Sequence, residues 1–243
     1  MGILNVAALA KELNTYTPCV TEKGNIEQEK IYRRMHFLIE IILVTCLRYF
    51  TERQVTKIIE ALYYSAKKHR GVYRKDGITP YFLHPLEVVL LLIHFRIFDF
   101  KIIVAAILHD VVEDTEASLT EVSKLFGNGV KKIVDIMTKH PDFVRKWRYW
   151  SIMKEESNLN YRWRVILLKF VDRIHNLMTL NVVSEESRNN KLQETLQEFP
   201  SLHSVLTKTI AHLYKKGTIK NKKYLHTPFL LNNRLIYEMS RYQ

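Results

Sequence analysis

The chain has 243 residues, 47% of them hydrophobic, and a formal net charge of +12 at pH 7. This length fits one large domain or one and a half, and the hydrophobic content argues against a disordered chain. The charge favours anionic partners such as nucleic acid, anionic lipid or a polyphosphate metabolite, without choosing among them. Two cysteines, Cys19 and Cys46, are too few for a disulfide framework and favour a reducing, cytoplasmic setting.

The N-terminal region carries no convincing targeting signal. Residues 1–23 are weakly patterned and lack a basic segment followed by a long apolar core. The most apolar run, Phe37 to Val44, contains Glu40 and is far shorter than the roughly 20 residues that a membrane-spanning helix needs. We therefore expect no membrane partner, and a helix or helix pair from about Asn25 to about Phe50.

The next helices flank a loop. Thr51 opens a helix that runs to about His69. The following stretch, RGVYRKDGITPYFLHP, holds two glycines and two prolines and is predicted to be a loop. Pro85 suits the first turn of a deeply buried helix. Asp99 opens the next helix, which we expect to continue to about Thr115.

The second half of the chain is also helical in pattern. Ser118 and Glu121 form a capping-box signature for a short helix that ends near Gly127. Further helices are predicted over residues 128–139, 142–157, 160–182 and 185–198. A basic region follows and then a polar tail, with Lys208, Lys215, Lys216, Lys220, Lys222 and Lys223. With only 7 Gly and 6 Pro and no sustained period-2 alternation, the chain is predicted to be all-α, without a central sheet.

One stretch concentrates ionisable groups after an apolar approach, ILHDVVEDT. His109 and Glu113 are four residues apart, as are Asp110 and Asp114, so one helix can direct all four toward one cavity. Three of the four are carboxylates, which repel one another near neutral pH. The stretch is therefore either a solvated helix end or the surroundings of a positive charge.

A second polar cluster lies in a mostly apolar helical run, VILLKFVDRIHNLMTL. Asp172, Asn176 and Thr179 recur there at helical spacing. A buried, unpaired carboxylate is costly, so Asp172 needs a partner. A metal ion would provide one, and a salt bridge to Lys169 or Arg173 is the simpler alternative.

His84, at the junction of the loop and the next helix, completes a candidate ligand set of two imidazoles and two carboxylates. Such a mixture suits Mn²⁺, Fe²⁺ or Zn²⁺ with open coordination positions, where a bound water has a lowered pKa. Glu113 and Asp114 follow one turn later and are candidates to orient or deprotonate that water. The predicted ligands are His84, His109, Asp110 and Asp172.

Two further stretches accompany these, RKDGITPYFLHP upstream and LTEVSKLFGNGVKKIVDIMTK between them. Together the four stretches closely resemble the hydrolase domain of RelA/SpoT alarmone enzymes, within the HD phosphohydrolase superfamily. The resemblance covers roughly residues 55 to 200. It implies an all-α HD-domain helical bundle around one Mn²⁺. It also implies hydrolysis of guanosine tetra- and pentaphosphate, (p)ppGpp, at the 3′ position, giving GDP or GTP and pyrophosphate.

The resemblance assigns roles to individual residues. Glu113 and Asp114 match the pair that handles the attacking water and the proton. The substrate contacts would come from two places, the loop residues Arg74 and Lys75 and the helix residues Asn176 and Thr179. The metal ligands would be His84, His109, Asp110 and Asp172.

Three departures from the family pattern affect the rim of the pocket. The loop between Lys75 and His84 is one residue longer than in the long bacterial enzymes. Met178 stands where many members have arginine, and the segment after Lys139 matches poorly, although Lys154 could supply a basic group there. These changes bear on substrate preference more than on hydrolysis.

The resemblance also divides the chain. We expect residues 1–50 to form an N-terminal helical extension, 51–200 the HD hydrolase domain, and 201–243 a basic helical extension and tail. About 40 residues after the hydrolase region are too few for a synthetase domain. We therefore expect a small alarmone hydrolase without synthetase activity.

Three other interpretations compete with this one. A related hydrolase could act on adenosine alarmones or on the 2′-phosphate of NADPH. Alternatively, a basic helical module could bind nucleic acid through the C-terminal lysines and Trp147, Tyr149 and Trp150, but no nucleic-acid motif supports this and it leaves the buried acidic groups unexplained. We expect no nucleic-acid partner. A non-catalytic receptor is disfavoured because every expected ligand is present, and the oligomeric state is left open.

Overall fold

The structure is a computed structural model that describes residues 26–139 and 149–242. Within these ranges the secondary structure is helical, and the only β-type pairing is an isolated bridge between Tyr73 and Pro80. The predicted all-α fold is confirmed. The α-helices are α1 Ile26–Tyr49, α2 Glu52–Lys68, α3 Leu83–His94, α4 Phe100–Leu108, α5 Val111–Asp114, α6 Leu119–Phe126, α7 Asn128–Met137, α8 Tyr149–Glu155, α9 Leu159–Met178, α10 Glu185–Lys215 and α11 Thr227–Ser240.

The chain divides into two compact units, an N-terminal unit up to Val134 and a C-terminal unit from Asp135. In the N-terminal unit, α1 packs on α2 and α3, and α4 packs on the same two helices. Helix α4 is the centre of this core, since residues Ile102 to Leu108 are at most 1% exposed. A helix that is apolar on all sides is expected to be buried in this way.

Two capping boxes fix the starts of helices in the N-terminal unit, at Thr51, which was predicted as an N-cap, and at Ser118, where a capping box was predicted. The Thr51 side chain accepts from the Gln54 backbone N–H, and the Gln54 side chain accepts from the Thr51 backbone. Ser118 and Glu121 make the same reciprocal pair before α6, which ends at Gly127 with a φ of 86°. Each box satisfies backbone donors that a helix start leaves unpaired.

The helix predicted to continue to Thr115 is interrupted. Helix α4 ends at Leu108, and the short helix α5 begins at Val111. Asp110 occupies the junction with φ −101° and ψ −5°. The expectation of one continuous helix through His109 is therefore wrong, and the two residues with the ligand chemistry lie at the break.

In the C-terminal unit, α9 packs against α8, α10 and α11. Arg173 on α9 is only 1% exposed. Its guanidinium donates to Glu194 Oε2 at 2.5 Å, to Thr195 Oγ1 at 3.0 Å and to the Lys191 carbonyl at 3.1 Å. This buried arginine therefore ties α9 to α10.

Two elements of the C-terminal unit differ from expectation. Helix α10 does not end near residue 198 but continues to Lys215, with Pro200 inside it. Proline removes one backbone donor, yet Phe199 and Leu202 on either side are buried and hold the helix in place. Where a polar tail was expected, Thr227–Ser240 forms α11. Part of the predicted helix 142–157 lies outside the described residues.

None of the helices in the described ranges combines the length and apolar character needed to cross a bilayer.

Candidate metal centre

His109 lies at the end of α4, where the helix backbone fixes its tautomer. Its Nδ1 lies 2.8 Å from the Ala106 carbonyl oxygen. A carbonyl can only accept, so Nδ1 carries the proton and Nε2 of the neutral ring presents a lone pair. His109 is 1% exposed, and its Nε2 lies close to the side chains of His84 and Asp110.

His84 and Asp110 bring their ligand atoms to this lone pair. His84 Nε2 is 3.2 Å from His109 Nε2, and Asp110 Oδ2 is 3.4 Å and 3.2 Å from the two nitrogens. Ligand atoms about 2.1 Å from one ion, at angles of 90 to 110°, lie about 3.0 to 3.4 Å apart. The triangle therefore fits three ligands of one divalent cation. A shared proton would satisfy one of its sides, whereas a cation satisfies all three.

Asp110 is in the charge state that a ligand requires. Burial by itself raises its pKa, but His109 and His84, when protonated, outweigh burial and hold the pKa of Asp110 well below its usual range. A bound cation would have the same effect on the carboxylate beside neutral rings. The carboxylate is therefore ionised at neutral pH. Its side chain is 19% exposed, whereas both histidine side chains are 1% exposed.

Tyr81 is part of this site, and the sequence analysis missed it. Its hydroxyl donates to Asp110 Oδ2 at 2.8 Å. Its ring meets His84 edge-on, with 5.9 Å between centroids. Burial, followed by the charge of Asp110, raises the pKa of Tyr81, so the phenol keeps its proton. Its position three residues before His84 could have indicated Tyr81, but an aromatic residue at that position is equally consistent with the hydrophobic core.

His69, which was also missed, supports Tyr81 from the other side. The two rings are stacked, with centroids 5.2 Å apart and an interplanar angle of 11°. His69 Nδ1 donates to the Ser65 carbonyl at 2.9 Å, and burial lowers the pKa of His69 to about 4. The ring is therefore neutral. Within the described part of the chain, its Nε2 has no hydrogen-bond partner.

Glu113 and Asp114 lie on α5, one turn after the ligand residues, and both are exposed. Desolvation of its carboxyl group, followed by the negative charge of Asp110, raises the pKa of Asp114. The acidic stretch is thus most buried at the α4–α5 break and more exposed on α5, where Asp114 still interacts with Tyr81.

Arg74 and Lys75 lie on a well-defined loop before α3. The Arg74 backbone N–H donates to the Thr79 carbonyl at 2.7 Å, and the Asp76 carboxylate accepts from the Thr79 backbone N–H at 2.8 Å. The Arg74 guanidinium carbon lies 5.4 Å from the centroid of the Tyr81 ring, within cation–π range. Lys75 is exposed.

In the C-terminal unit, Asp172 is 5% exposed and paired. Its Oδ2 accepts from Lys169 Nζ at 2.8 Å, and its Oδ1 accepts from Asn176 Nδ2 at 2.6 Å. Of the two cations considered as salt-bridge partners, Lys169 pairs with Asp172, whereas Arg173 bonds to Glu194. Each carboxylate oxygen has two lone pairs, so these bonds leave capacity for a cation. Thr179 ends α9.

His84, His109 and Asp172 are buried and carry side chains of the kind that bind a divalent metal ion. Imidazole nitrogen and carboxylate oxygen together suit borderline ions such as Mn²⁺, Fe²⁺ and Zn²⁺. The donor chemistry of the site therefore fits a metal.

The chain also matches a known protein family. The family model described as "HD domain" matches residues 61–204, which is more than half of the chain. The match contains the loop, the α4–α5 break and all of α9.

Among curated proteins, the chain is 39% identical over 168 residues to a GTP pyrophosphokinase of Myxococcus xanthus, covering 65% of this chain and 22% of that protein. It is 35% identical over 183 residues to a guanosine-3′,5′-bis(diphosphate) 3′-pyrophosphohydrolase of Aquifex aeolicus, covering 69% and 24%. The chain thus spans about a quarter of the length of these relatives.

A solved structure is similar over almost its whole length. It is reported as a metazoan ortholog of SpoT that hydrolyses ppGpp. It superimposes with a TM-score of 0.53 at 31% identity, covering 67% of this chain and 97% of that one. From the matched HD domain and these relatives, we conclude that the chain belongs to the HD-domain family and is of the RelA/SpoT type.

Proposed function

We propose that this protein hydrolyses (p)ppGpp at the 3′ position to GDP or GTP and pyrophosphate, using one divalent metal ion. The observation that carries the proposal is the triangle of His84 Nε2, His109 Nε2 and Asp110 Oδ2, with sides of 3.2 to 3.4 Å. In a chain of this family, a ready-made ligand set next to a basic loop supports hydrolysis of an anionic nucleotide.

The proposed ligands are His84, His109, Asp110 and Asp172, and the proposed ion is Mn²⁺. The burial of Asp172 in the middle of α9 supports its inclusion, because a carboxylate there is retained at a cost. When bound, such an ion lowers the pKa of a coordinated water and stabilises negative charge on phosphoryl oxygens.

Glu113 and Asp114 are proposed to handle the attacking water and the proton. Their place on α5, one turn beyond the α4–α5 break, supports this role. The raised pKa of Asp114 suits a group that exchanges a proton near neutral pH better than an ordinary aspartate does.

Arg74, Lys75, Asn176 and Thr179 are proposed to contact the nucleotide. Arginine can stack on a purine and donate paired hydrogen bonds to phosphate, and the Arg74 backbone is held by its bond to Thr79. The overall charge of +12 also favours an anionic substrate.

We further propose that the activity resides in residues 51–200, flanked by an N-terminal extension and a basic C-terminal extension. We expect the protein to act on its nucleotide substrate in the cytoplasm and not to bind nucleic acid. The absence of synthetase activity stays a prediction, and incubation with ATP and GDP or GTP tests it.

Product identification tests the proposal. The protein should release pyrophosphate and GDP from guanosine tetraphosphate with Mn²⁺, whereas release of orthophosphate would contradict cleavage at the 3′ diphosphate. A parallel panel with adenosine alarmones and NADPH tests the competing substrates. Faster turnover of either one would reassign the substrate while leaving the metal chemistry in place.

A further inference from the structure

Tyr81 makes two different contacts with the proposed machinery through two parts of one side chain. Its hydroxyl donates to Asp110 Oδ2 at 2.8 Å. The face of its ring lies under the Arg74 guanidinium, with 5.4 Å between the guanidinium carbon and the ring centroid. The first contact reaches a proposed metal ligand and the second a proposed nucleotide contact. The same hydroxyl also interacts with the side chain of Asp114.

We infer that Tyr81 is a positioning residue, which orients the Asp110 carboxylate toward the metal through its hydroxyl and supports Arg74 through its ring. The inference rests on the proposed metal site and goes beyond it by naming the residue that holds the ligand in place. Tyr81 touches neither water nor substrate in this assignment.

Asp110 requires such support because of where it lies. It occupies the break between α4 and α5, and its side chain makes no capping hydrogen bond to the α5 backbone. Its side chain is also 19% exposed, so rotation about χ1 could turn Oδ2 toward solvent. The Tyr81 hydroxyl opposes that rotation by bonding the same oxygen that faces His84 and His109.

The Tyr81 ring is also contacted by two histidine rings. His69 stacks on the ring, and His84 meets it edge-on. His69 is fixed in turn by its hydrogen bond to the Ser65 carbonyl at the end of α2. A line of contacts therefore runs from the end of α2 through Tyr81 to the ligand Asp110.

The two contacts are separable by substitution. Tyr81→Phe removes the hydroxyl and keeps the ring, so it should affect Asp110 and spare Arg74. Tyr81→Leu removes both. Tyr73→Phe makes the same chemical change at an exposed tyrosine of the same loop, 48% exposed, and is the matched control.

The test is binding of Mn²⁺ alone to the metal-stripped full chain, followed by the electron paramagnetic resonance signal of free Mn²⁺. Outer-shell partners of metal ligands are typically worth about 10- to 100-fold in metal affinity. We expect Tyr81→Phe to weaken Mn²⁺ binding by about that factor and Tyr73→Phe to bind like wild type. Excess Mn²⁺ should restore metal occupancy in Tyr81→Phe with an unchanged KM, whereas Tyr81→Leu should keep a raised KM.

The outcomes separate this inference from the proposed function. If wild type binds no Mn²⁺, the proposed metal site fails. If wild type binds and Tyr81→Phe binds equally well, the positioning role is overturned. A Tyr81→Phe chain that is already unfolded without metal at the assay temperature would place the hydroxyl in folding of the loop, and would overturn the assignment as well.

Discussion

At the scale of single residues, His109 is prepared for metal binding by its own helix. The acceptor of its Nδ1 proton is the Ala106 carbonyl, three residues earlier in α4. Because that acceptor is main chain, the tautomer is set when the helix forms. The lone pair on Nε2 therefore faces His84 and Asp110, so the proposed metal site would be preformed.

Ligands and acid–base groups should respond differently to substitution. Asp172→Ala should lose both metal and activity, and Asp172→Asn, which keeps the side-chain volume, should show the same loss. Glu113→Gln should keep its metal, with a rate lower by about 10²-fold or more, as for loss of a positioned acid–base group. Metal content and turnover of the purified variants check this. A Glu113→Gln protein devoid of metal would move Glu113 into the ligand set.

Arg74 should act on binding and not on the metal. Arg74→Ala should mainly raise KM, because it removes contacts made equally in the ground and transition states. Metal content should stay the same. Arg53→Ala, at an exposed position on α2, is the control for loss of one positive charge. Unaltered kinetics of Arg74→Ala at all substrate concentrations would contradict the role of the loop in nucleotide binding.

At the residue scale, the sequence indicates which residues have suitable chemistry for a site better than it indicates which side chains are in contact. Spacing of charged groups was enough to select His109, Asp110 and Asp172 as candidates. It could not select Tyr81, because a hydrogen bond from a loop to a helix junction depends on tertiary placement. At Asp172, spacing already favours Lys169 over Arg173, because residues three apart share a helix face and adjacent residues do not. The structure shows that salt bridge.

At the scale of elements, the C-terminal unit depends on the attachment of α9 to α10. Removing one partner of a buried ion pair leaves the other charge without compensation, at a cost of about 3 kcal/mol or more. Arg173 is the buried member, with its side chain 2% exposed, and Glu194 is 32% exposed. Loss of Glu194 would therefore leave the more deeply buried charge, that of Arg173, without compensation.

Glu194→Gln should destabilise the fold at neutral pH and much less in acid. Burial by itself raises the pKa of Glu194, but Arg173 outweighs it and the pKa is lowered overall. The stabilisation is therefore present above the ordinary glutamate pKa and is lost as the pH falls through the lowered value. Denaturant unfolding at several pH values measures it, with exposed Glu40→Gln as the control. A pH-independent difference would contradict the ion pair as its cause.

Most helices were predictable because capping boxes and apolar spacing mark them locally. The misses have specific reasons. The helix predicted over residues 185–198 continues through Pro200, because burial of Phe199 and Leu202 outweighs the lost hydrogen bond. Helix α11 had a signal in Leu231 and Leu235, four residues apart and both buried, which the surrounding polar residues obscured. The α4–α5 break has no local signal, since its sequence suits a continuous helix.

At the scale of the whole molecule, charge and site chemistry complement each other. The chain carries +12, while the candidate metal centre gathers carboxylates that would repel a polyphosphate. A divalent ion removes that conflict by neutralising the carboxylates and leaving open positions for phosphoryl oxygens. The proposed hydrolysis therefore depends on the ion more than on any single side chain.

The most direct test is a titration of the metal-stripped chain with Mn²⁺, with pyrophosphate release from guanosine tetraphosphate followed at each addition. The metal-stripped chain should be inactive. At protein concentrations well above the dissociation constant, activity should rise linearly and stop rising at one ion per chain. Turnover that persists at the wild-type rate in excess chelator, after exhaustive dialysis, would contradict the account.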